Sequence, residues 1–105
     1  MTAVWRPIPS YPGYEASDLG RIKSCERVIV RATRFGEIRQ PIRERILKPG
    51  RFSDGREFVV LTGQKNRQVH RLVLEAFVGP CPPGMEACHN DGDHTNNRLS
   101  NLRWD

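Results

Sequence analysis

Proline and glycine residues divide this 105-residue chain into short segments. Pro7, Pro9 and Pro12 interrupt the first stretch, where each proline is incompatible with a helix interior. Eight prolines and nine glycines in so short a chain favour short elements joined by turns over a helical bundle. The length is enough for one domain with a small core.

One segment keeps helical periodicity. Apolar residues at positions 69, 72, 73, 76 and 77 fall on one helical face and predict a helix over 69–78, which Gly79-Pro80 ends. His70, near its start, is expected to hydrogen-bond within its own helix.

Short strands are predicted on both sides of this helix. We expect strands at 14–17 and 21–24 joined by a turn at 18–20, with 28–30 continuing their sheet and 31–45 forming a loop or irregular hairpin. Further extended segments are expected at 57–62, followed by a hairpin turn at 63–66, and at 86–89 and 102–104. The predicted fold class is α+β, with short antiparallel strands and one helix.

Charge is distributed unevenly along the chain. Residues 1–50 contain ten basic and five acidic side chains, whereas residues 81–105 contain two basic and four acidic ones. The net charge of +5 fits nucleic acid or another polyanion as partner, although two solvated surfaces of opposite charge would give the same pattern.

The spacing of the cysteines and the hydropathy of the chain indicate where in the cell the protein is expected. Cys25, Cys81 and Cys88 form no CxxC pair or zinc-finger spacing, so free thiols are expected. No apolar run of about 18 residues and no secretory signal is visible, which argues against membrane and secreted classes. We expect a cytoplasmic protein of a bacterium or a phage-infected host cell.

The segment 88–104 contains two histidines, two aspartates and four asparagines. Core packing explains such a polar stretch poorly. Asp and Asn are also common turn residues, so a structured loop without chemistry is an open alternative. A calcium loop around Asp91-Gly92-Asp93 is less favoured, because no bidentate Glu follows at the required distance.

Two parts of the chain resemble known families. Val69-His70-Arg71-Leu72-Val73, Glu75-Ala76-Phe77 and the 88–104 segment are similar to the HNH nucleases of phages and homing endonucleases, the His-Me finger superfamily. Residues 5–24 resemble the NUMOD-type motif that often precedes that module and is regarded as DNA-binding. The resemblance implies a NUMOD-type DNA-binding region at 1–50 and an HNH nuclease region at 51–105, within one compact domain.

The resemblance also assigns roles at the site. It implies that His89 is the general base and that Asn101 braces the loop and the His89 ring, while Asn96 and Asn97 lock the loop. It implies a divalent metal, Mg²⁺ or Mn²⁺, with Cys88 and Asp91 as candidate ligands; many members carry Asp where Cys88 stands. Because the family continues beyond the second strand into a helix that carries the last ligand, we expect a truncated ββα-metal finger here.

Double-stranded DNA is the implied partner. Between residues 21 and 48 nine basic side chains face three acidic ones, which favours phosphate contacts. The residues expected to bind DNA are Arg21, Lys23, Arg27, Arg31, Arg34 and Arg71. An HNH-type endonuclease is therefore the favoured function. A non-catalytic DNA-binding protein derived from such a nuclease is the alternative, and a polyanion-binding structural domain is a third.

Overall fold

The computed structural model describes residues 2–61 and 65–105. Its first sheet has four antiparallel strands in the order β1-β2-β3-β6. These strands are β1 (Trp5–Pro7), β2 (Tyr14–Ser17), β3 (Ile22–Ser24) and β6 (Arg45–Ile46). The two strands predicted around the turn at 18–20 are confirmed.

Strands β4 (Arg27–Thr33) and β5 (Gly36–Ile42) form a separate two-stranded antiparallel ribbon. The pairing is regular, from Arg27 opposite Ile42 to Thr33 opposite Gly36. The prediction that 28–30 continues the first sheet is therefore wrong, and 31–45 is more regular than expected. Most side chains on both faces of the ribbon are exposed, and burial alternates only over the first four residues of β4.

The third sheet contains β7 (Gly50–Arg51), β8 (Glu57–Leu61) and β9 (Lys65–Gln68) in antiparallel order. The strand predicted over 57–62 is confirmed as far as Leu61. The predicted turn at 63–66 is only partly testable, because residues 62–64 lie outside the described residues, while Lys65 and Asn66 belong to β9.

Helix α1 (Val69–Phe77) confirms the helical prediction and ends before Gly79, whose φ is +127°. After it come β10 (Ala87–His89), a 3₁₀ turn (Leu99–Asn101) and β11 (Leu102–Trp104), with β10 and β11 pairing antiparallel. The two extended segments expected at 86–89 and 102–104 are thus confirmed as a hairpin.

The core lies where α1 packs against β2, β8 and β10. Val69, Leu72 and Val73 of α1 are each at most 2% exposed, as their spacing predicts. They meet residues from the first and third sheets, from β11 and from the segment after β1: Ile8, Tyr14, Ala16, Ile22, Val59, Leu61 and Leu102. The fold is α+β, and no helix among the described residues is long and apolar enough to cross a membrane.

Candidate nuclease site

His89 lies at the end of β10, opposite Leu102 of β11. Between the two strands runs the segment of residues 90–101, which we call the His89 loop. The backbone N–H of Asn90 donates to the carbonyl of Asn101 at 2.7 Å and closes the loop at its base. A histidine is thereby fixed where a strand gives way to a loop, with its neighbours held on both sides.

Asp91 organises the His89 loop. Its carboxylate accepts hydrogen bonds from the backbone N–H of Asp93 at 2.8 Å, from Asn101 Nδ2 at 2.9 Å and from Asn96 Nδ2 at 3.0 Å. These donors favour the charged form and lower the pKa of Asp91, with the Asp93 N–H the largest contribution. The loop is thus built from side-chain to backbone contacts that Asp and Asn supply readily.

A second turn follows at Asp93. Its carboxylate accepts from the Thr95 hydroxyl at 2.7 Å and from the Thr95 backbone N–H at 2.9 Å. These two bonds lower the pKa of Asp93. Both aspartates of the loop therefore act as acceptors for their own loop.

Asn97 is a loop residue that hydrogen-bonds to the His89 ring. Its Oδ1 lies 2.8 Å from His89 Nε2, and its Nδ2 lies 2.8 Å from Glu57 Oε1 on β8. The residue is only 4% exposed. Asn101, which was expected to brace both the loop and the ring, donates to Asp91 and to the Asn96 carbonyl instead. The loop contact expected of Asn101 is present, but Asn97 makes the ring contact.

His70 of α1 packs directly against His89. The two ring centroids are 4.6 Å apart with an interplanar angle of 25°. His70 Nε2 lies 3.2 Å from the Ala87 carbonyl of β10, so the expectation of a hydrogen bond within its own helix is wrong. Burial, followed by the positive form of His89, lowers the pKa of His70 to about 4. The His89 ring is therefore stacked against a neutral imidazole.

His94 also contacts the His89 ring. The two ring centroids are 5.5 Å apart, and His94 Nδ1 lies 3.0 Å from the Asp54 carbonyl. This bond ties the His89 loop to the turn before β8. The His89 ring thus contacts the rings of both His70 and His94.

The two candidate metal ligands do not converge with His89. Cys88 is adjacent to His89 on β10, so its side chain leaves the strand on the opposite face. The Asp91 carboxylate is already occupied by three donors. No group of three or more His, Cys, Asp or Glu side chains within 2–61 and 65–105 is arranged to hold a metal. A thiol is also a poor ligand for Mg²⁺, so these donors do not fit the metal that the resemblance implies.

Two of the six predicted DNA-binding residues are engaged within the protein. Lys23 pairs with Glu15 at 3.2 Å and Glu44 at 3.3 Å and lies over the Trp5 ring. Burial alone would lower the pKa of Lys23, but the two carboxylates outweigh it and raise that pKa. Arg27 donates to the carbonyls of Gly13 and Cys25 and to two hydroxyls at the base of the ribbon.

The other four predicted residues are exposed. Arg31 and Arg34 lie on the ribbon, together with Arg39 of β5. Arg34 stacks over the ring of Phe35, which is 89% exposed at the tip of the ribbon. Arg21 follows the turn before β3, and Arg71 of α1 pairs with Glu75 at 3.6 Å.

Sequence reasoning missed Glu57 and assigned His70 and Asn97 other roles. Glu57 was treated only as part of a strand, because a carboxylate at the edge of a strand gives no signal of its own. The relevant contacts join residues 17 and 40 positions apart in the chain. A sequence pattern is local, so these contacts become visible only when α1 and β8 are placed beside β10.

Comparisons with known proteins agree with this fold. Residues 4–62 match the family model described as the NUMOD4 motif, and residues 67–104 match the one described as HNH endonuclease. The chain is 30% identical over 103 residues to DNA endonuclease I-HmuI of Bacillus phage SP01. That match covers 95% of this chain and 51% of the relative.

A solved structure entitled "DNA binding and cleavage by the HNH homing endonuclease I-HmuI" is also similar. It is 29% identical with a TM-score of 0.68, covering 97% of this chain and 52% of the solved one. The chain thus spans about half the length of the relatives it matches. Since the NUMOD4 match extends over more than half of its residues, the chain belongs to the NUMOD4 family, with an HNH endonuclease segment in its C-terminal part.

Proposed function

We propose that this protein is a DNA-binding HNH-type endonuclease that hydrolyses phosphodiester bonds, with His89 as the general base. The arrangement around His89 carries this proposal. The His89 ring is clamped between a buried neutral histidine and a buried asparagine at the mouth of a polar loop. Neither a DNA-binding surface nor a simple turn requires an imidazole held in this way.

Hydrolysis of a phosphodiester needs a base to take a proton from the attacking water. Imidazole suits this role because its ordinary pKa, about 6.5, lies near working pH. Asn97 and His70 keep the ring oriented, so the base does not have to be ordered when substrate arrives. Asn101 serves the same end indirectly, by holding Asp91 and the Asn96 carbonyl within the His89 loop.

Dependence on Mg²⁺ or Mn²⁺ is part of this proposal by family resemblance. A divalent ion would stabilise the charge that develops on the phosphate and on the leaving oxygen. Cys88 leaves β10 on the face opposite His89 and the Asp91 carboxylate is taken up by its own loop, so neither is placed to hold the ion.

Double-stranded DNA is the proposed partner, with the ribbon as the main contact surface. A two-stranded antiparallel ribbon fits the width of the major groove. Arg31 and Arg34 are available there for phosphates, and Arg39 adds a third exposed charge. Arg21 and Arg71 remain candidates outside the ribbon. We leave Lys23 and Arg27 out of this set, because their charged groups are bound within the protein.

We propose separate roles for the two regions that the resemblance implies. Residues 1–50 mainly contact DNA, and residues 51–105 carry out the hydrolysis. The proposed setting is the cytoplasm of a bacterial or phage-infected cell. A non-catalytic DNA-binding protein is the second candidate function. The dispersed positions of Cys88 and Asp91 are the observation that favours it, because a site without converging ligands holds a metal poorly.

Nicking of supercoiled plasmid distinguishes the two candidates. The protein is incubated with plasmid in Mg²⁺ and in Mn²⁺, with a chelator as the blank and His89→Ala as the matched variant. Endonuclease function requires metal-dependent nicking that His89→Ala abolishes while DNA binding persists. Tight DNA binding with no nicking in either metal would instead establish the non-catalytic candidate.

A further inference from the structure

We propose that Glu57 is a positioning residue for His89: acting through Asn97, it fixes the ring proton of His89 on Nε2 and leaves Nδ1 free. The importance of Nδ1 as a base rests on the proposed function, whereas the assignment of the proton does not. Glu57 lies on β8, outside the residues that match the HNH endonuclease family.

The donor and acceptor pattern has one consistent solution. A carboxylate oxygen only accepts, so the Asn97 atom 2.8 Å from Glu57 Oε1 must be the amide nitrogen. The Asn97 amide oxygen then faces His89 Nε2, also at 2.8 Å, and that oxygen likewise only accepts. Neutral His89 must therefore carry its proton on Nε2.

Burial of Asn97 makes these hydrogen-bond partners necessary. Asn97 is 4% exposed, so water has little access to satisfy its amide group if a partner is removed. Glu57 is itself held on its other oxygen by Arg51 Nε at 3.3 Å, and its side chain is 14% exposed. The carboxylate is thus fixed from one side by a surface arginine and aimed at the buried amide from the other.

Removal of the Glu57 carboxylate removes the acceptor that orients the Asn97 amide. The Asn97 amide could then turn by 180° and present its nitrogen to His89 Nε2. A nitrogen that receives a hydrogen bond cannot itself carry the proton, so the ring would move its proton to Nδ1. The nitrogen proposed to accept a proton from water would then already be occupied.

The tautomer is directly measurable by long-range ¹H–¹⁵N NMR of the three histidine rings at a pH where they are neutral. His89→Ala identifies the His89 signals. We expect the parent protein to show the Nε2–H form of His89 and Glu57→Leu to show a substantial Nδ1–H population. Plasmid nicking by Glu57→Leu should fall about 10- to 100-fold, the usual range for residues that orient a functional imidazole.

A reciprocal exchange separates positioning from general destabilisation. Asn97→Asp alone places two carboxylates against each other and should disturb the site. Adding Glu57→Gln restores the pattern, because the introduced glutamine donates to the introduced aspartate, which in turn accepts from His89 Nε2. The double variant should therefore recover both the Nε2–H tautomer and part of the nicking activity.

Arg51→Ala is the matched control, since it removes the surface ion pair but no partner of Asn97. It should leave the tautomer unchanged. A folded Glu57→Leu protein with the parent tautomer, or a double variant no better than Asn97→Asp, would overturn the proposal. If Glu57→Leu changes the tautomer but the parent protein never nicks DNA, the proposed function is refuted and the role of Glu57 stands.

Discussion

The His89 loop and the ribbon are both polar, yet they are built in opposite ways. In the loop, Asp91, Asn96 and Asn101 bond to one another and to the backbone, and Asn97 is buried. In the ribbon, the strands pair only with each other among the described strands, and most side chains face solvent. One region uses its polar groups internally, whereas the other presents them.

This difference matches what each region is proposed to do. A reacting group has to be held within narrow limits before substrate arrives, which self-bonded side chains achieve. A surface that follows a DNA groove needs charges that are free to reach phosphates. Polar composition alone therefore does not separate the two roles, but the location of the bonding partners does.

The largest expected effect is at His89, where the His89 loop begins. Replacing His89 by Ala should lower plasmid nicking by about 10²–10⁴-fold, because the general base is removed. DNA binding, measured by gel shift, should remain at the parent level. His94→Ala is the matched control, since His94 hydrogen-bonds to the Asp54 carbonyl and meets His89 through a tilted ring contact, and it should have little effect. Unimpaired nicking by His89→Ala would rule out the HNH mechanism.

The second effect is in the ribbon. Replacing Arg31, Arg34 and Arg39 together by Gln should weaken DNA binding roughly 10- to 100-fold at moderate salt. The slope of log K against log salt should also fall, by about 0.9 for each phosphate that is no longer neutralised. The free energy of unfolding should hardly change, because these side chains are exposed. Lys23→Gln, which removes an internally paired charge, should leave the slope unchanged. Equal slopes for parent and triple variant would exclude the ribbon as the contact surface.

The third effect concerns the pH dependence of stability that arises from His70, which packs against His89. The folded protein lowers the pKa of His70 from 6.5 to about 4, so the unfolded chain binds the proton more readily. The stabilisation from His70 is therefore complete above pH 6.5 and is lost as the pH falls from 6.5 towards 4, by up to about 3 kcal/mol. His89, Arg56 and His94 reinforce the shift, and the Ala87 carbonyl opposes it.

His70→Phe provides the test, because it keeps a stacked ring but cannot titrate. Its free energy of unfolding, measured by denaturant titration, should change less than that of the parent between pH 6.5 and 4. The fold lowers the pKa of Asp91 and Asp93 below their ordinary value of 3.8, and both proteins share this contribution, so it does not affect the comparison. Parallel pH curves for the parent and His70→Phe would contradict the assignment.

The same contrast explains what the sequence could predict. Helix α1 and the β10–β11 hairpin were predictable, because apolar spacing and Asx turns are local signals that the core and the loop both obey. The ribbon was not recognised as regular, because both of its faces are exposed and Pro41 interrupts the strand pattern. His89 could be identified by resemblance, but Glu57 could not, because its contact with Asn97 depends on the packing of β8 against the loop.

The smallest expected effect tests whether the two regions are coupled through the turn between β2 and β3. Gly20 has a φ of +89°, and a Cβ there would lie 2.7 Å from the backbone carbonyl carbon and oxygen of Asn97. The Asp18 carbonyl of this turn also accepts from the Leu99 N–H at 2.9 Å. Part of the predicted DNA-binding region 1–50 therefore supports the His89 loop.

Gly36, the first residue of β5 after the turn of the ribbon, is the matched control. Its φ is +112°, but among the described residues no heavy atom beyond its two chain neighbours lies within 4 Å of an added Cβ. Gly36→Ala should cost only the conformational strain, about 1–2 kcal/mol. Gly20→Ala should add about 1–3 kcal/mol from the clash, because the backbone of Asn97 must move. Since that movement reaches the partner of His89, Gly20→Ala should also reduce the nicking activity per folded molecule, whereas Gly36→Ala should leave it unchanged. Equal unfolding free energies and equal nicking for the two variants would show that the β2–β3 turn merely lies beside the His89 loop without holding it.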